Sequence, residues 1–300
     1  MTEIQTGRGP ASAASVQLGE LRLRIERASE ASASGEPFDR AETDVDVAAL
    51  LDALERGEVR AAERDAADVW RAIAWVKAGI MLGFRIGNLV EMGSVSGSAF
   101  RFFDRHPFSI RDFTVADGVR IVPGGSLIRR GAYVAPGVIC MPPMLINIGA
   151  HVGANTTVDS HALVGSCAQV GARVHLSAGA QLGGVLEPAH AAPVIVEDEA
   201  FIGGNCGVYE GTVIRRRAVL ASGVILTRAT PVYDLVRETV HRAEGGAPLE
   251  IPEGAVVVPG ARPMTSGWGA DQHLSLQTPI IVKYRDEHTD AAIALEPRLR

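Results

Sequence analysis

The stretch Val158-Asp-Ser-His-Ala-Leu-Val-Gly-Ser-Cys-Ala-Gln-Val-Gly-Ala-Arg-Val-His-Leu176 carries an aliphatic residue at every sixth position. Backwards, the step runs through Val152, Ile146, Cys140, Val134 and Ile128 to Val122, and forwards it reaches Leu182. Four residues after each step the side chain is usually small, as at Ala150, Thr156, Ala162, Ala168, Val174 and Ala180. A glycine often follows the step directly, as at Gly153, Gly165, Gly171 and Gly183. A period of six suits neither a helix nor simple strand alternation. It suits a short strand followed by a corner, the hexapeptide repeat. Three units close one triangular coil of about 18 residues, and coils stack at the strand spacing of about 4.8 Å.

The register breaks once. After Leu182 the step restarts at Val196 and continues through Ile202, Val208, Ile214, Leu220 and Leu226. About eight extra residues within Gly183–Pro193 must therefore leave the coil, and an excursion from a regular scaffold is a natural place for function. Proteins with this repeat wind left-handed, against the usual crossover hand. The expected fold is mainly β: a left-handed parallel β-helix with an N-terminal α-helical domain and a short C-terminal β extension. The boundaries read as 1–118 for the helical domain, 119–232 for the β-helix with its excursion loop at 183–193, and 233–300 for the extension.

Ahead of residue 118 the pattern is helical. Val47, Leu50, Leu51 and Leu54 share one helical face, with Asp44 or Asp46 placed to cap the start and Gly57 to end it. Val69, Ile73, Val76 and Ile80 form a second stripe, Leu18–Ala28 a weaker helix, and Ser29–Pro37 reads as a linker. Beyond Tyr233, Ala255–Pro259 and Pro279–Lys283 read as strands.

Composition fits this layout. Of 300 residues 47% are hydrophobic but only 5% aromatic, with 33 Gly, as a narrow prism filled by aliphatic side chains requires. All three Trp, at 70, 75 and 268, lie outside the repeat. A net charge of −6 excludes a basic nucleic-acid binder. Cys140, Cys167 and Cys206 are too few and too spread for a disulfide framework or a zinc knuckle. The stretch Ala74–Phe84 is interrupted by Lys77 and falls short of the roughly 20 residues of a membrane span. The first 20 residues hold no apolar signal-peptide core. A cytoplasmic protein without membrane or nucleic-acid partners is expected.

The segment Val158–Gly171, followed by Val174-His-Leu-Ser177, Gly183-Gly-Val-Leu-Glu-Pro188 and Val196-Glu-Asp198, resembles the tetrahydrodipicolinate N-succinyltransferases, succinyl-CoA-dependent enzymes of lysine and diaminopimelate synthesis. The likeness extends through Arg120-Ile-Val-Pro123, Arg130-Gly-Ala-Tyr133 and Asn147-Ile-Gly-Ala150, and more weakly through Trp70, Trp75 and Phe84-Arg85. The resemblance implies a homotrimer with active sites between neighbouring subunits, and a CoA arm lying along the coil. It places the family's catalytic and substrate-binding aspartate on Asp159 and its substrate-carboxylate arginine on Arg120. A guanidinium offers parallel donors to a carboxylate, and an aspartate at a coil corner can accept from a substrate amine. For each, a solvated surface charge is the plainer reading.

Two positions depart from the family. Its second acidic residue, the catalytic Glu, falls on Gly207, and Glu210 matches a later Glu of the same stretch. The family's aromatic two residues after the aspartate is His161 here. Imidazole titrates near neutrality, as a base acting on an amine should. Either His161 takes over acid–base work with Asp159, or the acceptor has changed, or His161 is an outward, solvated side chain. Ser177, Ala178, Gly183 and Gly184 leave room for a pantetheine arm, or are simply tight corners. Arg215-Arg216-Arg217 could attract CoA phosphates or be a solvated charge run, and Cys167 and Cys206 read as packing residues.

The leading function is a CoA-dependent N-acyltransferase using succinyl-CoA or acetyl-CoA on an amino or imino dicarboxylic acid. A different acceptor in specialised amino-acid metabolism, or a catalytically silent assembly protein, stand as alternatives. A metal-dependent β-helix enzyme of the γ-carbonic-anhydrase kind is disfavoured and no metal is predicted, because His151 and His175 are separated by one full coil plus one side and so fall on different faces.

Overall fold

A computed structural model describes residues 13–92 and 101–289 of the chain. From Arg120 onward two-residue strands build three faces of a prism. The first face stacks Arg120–Ile121, Ile139–Cys140, Thr157–Val158, His175–Leu176, Phe201–Ile202 and Val219–Leu220. The second runs from Leu127–Ile128 through Leu163–Val164, Gln181–Leu182 and Gly207–Val208 to Ile225–Leu226. The third runs from Tyr133–Val134 through His151–Val152 and Gln169–Val170 to Glu250–Ile251. Neighbours pair in parallel, Val158 with Leu176 and Val164 with Leu182, so three steps of the repeat complete each coil. Across the excursion Leu182 pairs with Val208, where an unbroken repeat would bring Ala200 opposite it, and the difference is the loop that leaves the coil.

The second residue of each strand points inward. Val134, Val152, Val158, Val164, Val170, Leu176, Leu182 and Ile202 are buried in one continuous cluster with the small residues at the corners. Thr156 is the polar member of the small set. Its hydroxyl donates to Gly171 O and accepts from Val174 N, so this buried hydroxyl is satisfied on both sides. Corners turn on residues with positive φ three places after the inward residue, including Asn155, His161, Cys167 and Arg173 besides Gly149 and Gly179. Asn and His tolerate this region better than β-branched residues do.

The first coil differs from the six-residue reading. Ile121, not Val122, lies opposite Cys140, because the loop through Pro123–Ser126 holds one extra residue. After a hairpin excursion, Glu250–Ile251 and Val256–Val257 add two further rungs on Val213–Ile214 and Val219–Leu220. Ala255–Pro263 then pairs antiparallel with Ser275–Tyr284, as the apolar runs there predict.

The N-terminal part contains α1 (Ala13–Ser34), α2 (Arg40–Glu55) and α3 (Ala74–Ile86), and also four short strands that the helical pattern does not announce. Helix α1 runs through Ser29–Ser34, read from sequence as linker, because Ala and Glu there sustain a helix. Asp39 caps α2, accepting from Ala41 N at 2.8 Å and Glu42 N at 3.1 Å, so Asp44 and Asp46 lie inside the helix. Val69 and Ile73 precede α3, since Trp70–Ala72 is a strand paired with Ala62–Arg64.

This strand pair covers the upper third face, with Ala62 and Trp70 packed on Ile195 and Val213. Glu197 fastens it there. Its carboxylate, 9% exposed, accepts from Arg64 Nη2 at 2.6 Å, Trp70 Nε1 at 2.9 Å, Arg215 Nη1 at 3.0 Å and Arg216 N at 3.0 Å. Burial alone would raise its pKa. The Trp70 hydrogen bond and the Arg64 and Arg215 charges outweigh burial and hold it below the usual carboxylate range.

Lower on the same face His151 stacks on Tyr133, ring centroids 4.4 Å apart. Burial, helped by the Arg60 charge, pushes its pKa down to about 3 from 6.5. Between those values the unfolded chain binds the extra proton. The contribution is complete above about pH 6.5 and is lost as pH falls, by at most about 1.4 kcal/mol per pH unit. Melting temperature should therefore drop from pH 7 to pH 5, before carboxylates titrate. His151→Phe, which retains a stacking ring but no proton site, should flatten that segment, and an unchanged slope would assign it elsewhere.

Candidate active site

Asp159 and His161 share the corner between the first and second faces. Asp159 follows inward Val158, and its backbone N–H donates to Leu176 O on the coil above. Its side chain projects from the corner half-buried, Oδ1 accepting from Ser160 N at 2.7 Å. The second carboxylate oxygen has no hydrogen-bond donor among the described residues. His161 adopts φ 61° and is exposed. No hydrogen bond joins its ring to Asp159 among the described residues, so the two flank the same open corner as separate groups. Ser177 and Ala178 lie one coil above, over Asp159 and Ser160, as the bonds Asp159 N to Leu176 O and Gly179 N to Ser160 O show. Arg120 belongs to the first face, two rungs below Thr157 and so about 10 Å along the stack. Its side chain is exposed on the same side of the prism.

Gly183 and Gly184 occupy the next corner, between the second and third faces, where the excursion departs. Backbones approach closely there. A Cβ on Gly165 would stand 2.3 Å from Gly184 N and 2.5 Å from Leu182 O, and one on Gly184 would stand 2.7 Å from Ser166 N. Above this corner opens a cleft of about 1710 Å³, lined by Trp70, Phe84, Arg85, Gly183, Gly184 and Tyr209 among others. The space exceeds the roughly 300–1,000 Å³ of an ordinary small-ligand pocket. Asp159, His161, Arg120, Ser177 and Ala178 are not in its lining. The candidates thus form two groups flanking the second face, an acid–base corner and a glycine corner with a cleft.

Lys77 is the feature whose role the sequence hid. It lies in α3, fully buried, and its ammonium donates to Ala191 O at 2.7 Å and Pro188 O at 3.2 Å. Burial lowers its pKa. A lysine that reads as a blemish in an apolar stripe therefore moors the excursion loop that walls the cleft. The only cue in the sequence is a single long cation on an otherwise apolar helical face.

Gly207 is covered by an aromatic ring. A Cβ there would meet Tyr209 Cε2 at 2.4 Å and Cζ and Oη at 2.9 Å, and a Cβ on Gly183 would meet Tyr209 Cδ1 at 2.7 Å. Glu210 caps a neighbouring turn, accepting from Arg228 N at 2.9 Å. The Arg215–Arg217 run is engaged by carboxylates: Arg215 by Glu197 and Glu250, Arg216 and Arg217 by Glu199. Cys167 and Cys206 are buried, and burial pushes the Cys167 thiol up to about 12, which suits packing and not nucleophilic attack. His151 and His175 stand on the third and first faces respectively. No helix among the described residues is long and apolar enough to cross a membrane.

The family model described as Tetrahydrodipicolinate N-succinyltransferase N-terminal matches residues 20–86, and the one described as Hexapeptide repeat of succinyl-transferase matches residues 193–228. The 2,3,4,5-tetrahydropyridine-2,6-dicarboxylate N-succinyltransferase of Polynucleobacter asymbioticus is 42% identical over 258 residues, covering 85% of this chain and 88% of that protein. The enzyme of the same name from Cereibacter sphaeroides is 38% identical over 284 residues, covering 93% of this chain and 98% of its own. Among solved structures, a hexapeptide transferase family protein from Anaplasma phagocytophilum superposes with a TM-score of 0.39 at 13% identity, covering 58% of this chain and 80% of that one.

Proposed function

Because the chain belongs to the tetrahydrodipicolinate N-succinyltransferase family, we propose that it transfers an acyl group, succinyl or acetyl, from a CoA thioester to the amine of tetrahydrodipicolinate or a related amino dicarboxylic acid. The observation that carries this reading is identity of 42% sustained over 85% of the chain, through both the helical part and the coil. The β-helix is proposed to wind left-handed, as the resemblance implies, in a cytoplasmic protein divided near residues 118 and 232.

The division of the candidates between two corners supports a homotrimer. In a ring of three copies each interface joins two different patches of the surface. The Asp159 corner of one subunit can then face the glycine corner of its neighbour across the second face. Asp159 accepts a hydrogen bond from the substrate amine, Arg120 receives a substrate carboxylate, and Gly183 and Gly184 let the pantetheine arm approach the backbone. Tetrahydrodipicolinate is a cyclic imine, so water first adds across its C=N bond to give the amine. The nitrogen lone pair then attacks the thioester carbonyl, a C–N bond forms, the C–S bond breaks to release CoA thiolate, and the proton lost by the nitrogen balances the one the thiolate takes up. Proximity and backbone donors to the oxyanion supply most of the acceleration.

His161 is proposed as the base that removes the amine proton. His161→Gln should lower kcat about 100-fold; a variant with the parental rate returns His161 to a solvated surface role. The activity itself is tested by following CoA thiol release from succinyl-CoA and acetyl-CoA with tetrahydrodipicolinate, L-2-aminopimelate and a panel of other amino acids. Absence of release with every pair would leave a non-catalytic assembly. The ring over Gly207 favours one second reading, an acceptor other than tetrahydrodipicolinate, and the same panel decides it.

A further inference from the structure

Tyr209 lies flat on the outside of the coil, its ring spanning Gly183 on the coil below and Gly207 two residues back on its own. Other outward positions of this face carry Leu127, Leu145, Leu163, Gln181 and Ile225. Glycine in a strand forfeits side-chain packing and marks close approach of another group, and here that group is the phenol ring. The half-buried ring lines the cleft beside Gly183 and Gly184. Its hydroxyl has no hydrogen-bond partner among the described residues. Oη stands 2.9 Å from the point where a side chain on residue 207 would begin.

We propose that Tyr209 is a specificity-determining residue, its phenolic O–H donating a hydrogen bond to a carboxylate or carbonyl oxygen of the ligand bound in this cleft. A phenol carries no charge at neutral pH and both donates and accepts. It therefore admits an anionic oxygen at a place where a carboxylate side chain on residue 207 would repel one. The cleft lining carries Arg71, which pairs with Asp65, and Arg85 and Arg228, alongside Glu187, Glu210 and Glu250, so charge of both signs surrounds the phenol and its hydroxyl is a neutral donor between them. The oxygen could belong to the acyl donor or to the acyl acceptor. The inference rests on the acyltransferase reading for the identity of that ligand, but not for its chemistry.

Tyr209→Phe keeps the ring on both glycines and removes only the hydroxyl. In steady-state kinetics on the full chain it should raise KM about two- to tenfold for one ligand, with a smaller change in kcat. A rise for the thioester at saturating acceptor assigns the oxygen to the donor, and a rise for the amino acid at saturating thioester assigns it to the acceptor. Both KM values unchanged in an active enzyme would overturn the inference and leave the acyltransferase reading intact. Should the parent chain show no turnover, calorimetric titration of parent and variant with succinyl-CoA and with L-2-aminopimelate decides. Weaker binding of either ligand by the variant supports the hydrogen bond without the reaction. Equal binding, or none by the parent, overturns the inference.

Discussion

Asp159→Asn is expected to lower kcat about 100- to 1,000-fold while the melting temperature stays within a degree or two of the parent. Asparagine is isosteric, and its side-chain oxygen can keep the bond that Asp159 Oδ1 accepts from Ser160 N. The corner should fold unchanged. What is lost is the second, unpartnered oxygen: an NH2 group in its place presents a donor to a substrate amine that needs an acceptor. Charge is lost with it, so ammonium and developing positive charge on nitrogen go unsupported. Stopped assays of CoA release, paired with a thermal melt, separate the two effects. A rate within twofold of the parent would remove Asp159 from the site, whereas a large fall in melting temperature would make it a structural corner residue.

Glu197→Gln is expected to destabilise the fold by about 2–3 kcal/mol. Removing one partner of a fully buried ion pair costs about 3–5 kcal/mol, but this site is only partly closed. Arg64 is 40% exposed and can recover water, and Arg215 retains Glu250 at 2.8 Å. The amide keeps an oxygen for Trp70 Nε1 or Arg216 N but turns N–H donors toward guanidinium donors. Because the folded carboxyl sits below its unfolded value, its contribution is complete above the ordinary carboxylate pKa and lost as pH falls through the depressed one. Denaturant midpoints should therefore differ between parent and variant near pH 7 and converge in acid. Equal midpoints at pH 7 would show that apolar packing of Trp70 and Ala62, and not the charge cluster, holds the strand pair.

The prism is legible because its physics is one-dimensional. A residue that must point into a narrow core at every sixth place leaves its period in the sequence, and the single break in that period stands out against it. The N-terminal part lacks such a rule. Trp70–Ala72 is a strand only because Ala62–Arg64 pairs with it in a short hairpin that carries no period, and because Glu197, far away in sequence, receives its indole. Asp39 lies about two turns ahead of the apolar stripe, so the stripe points to the wrong caps. At the site, spacing places Asp159 on a corner but not its distance from Gly183, which depends on which face lies between. Tyr209 escapes a residue-by-residue reading altogether. Its meaning lies in Gly183 and Gly207, set on either side of the excursion in sequence, that the coil brings under one ring.

Lys77 grips the excursion loop by main-chain carbonyls, at Pro188 and Ala191, and not by any side chain of the loop. Such a grip is indifferent to which residues the loop carries, provided its path is kept. The loop's side chains are thus free to diverge while its seat is inherited unchanged, so a lineage can alter what lines the cleft without having to reinvent the wall.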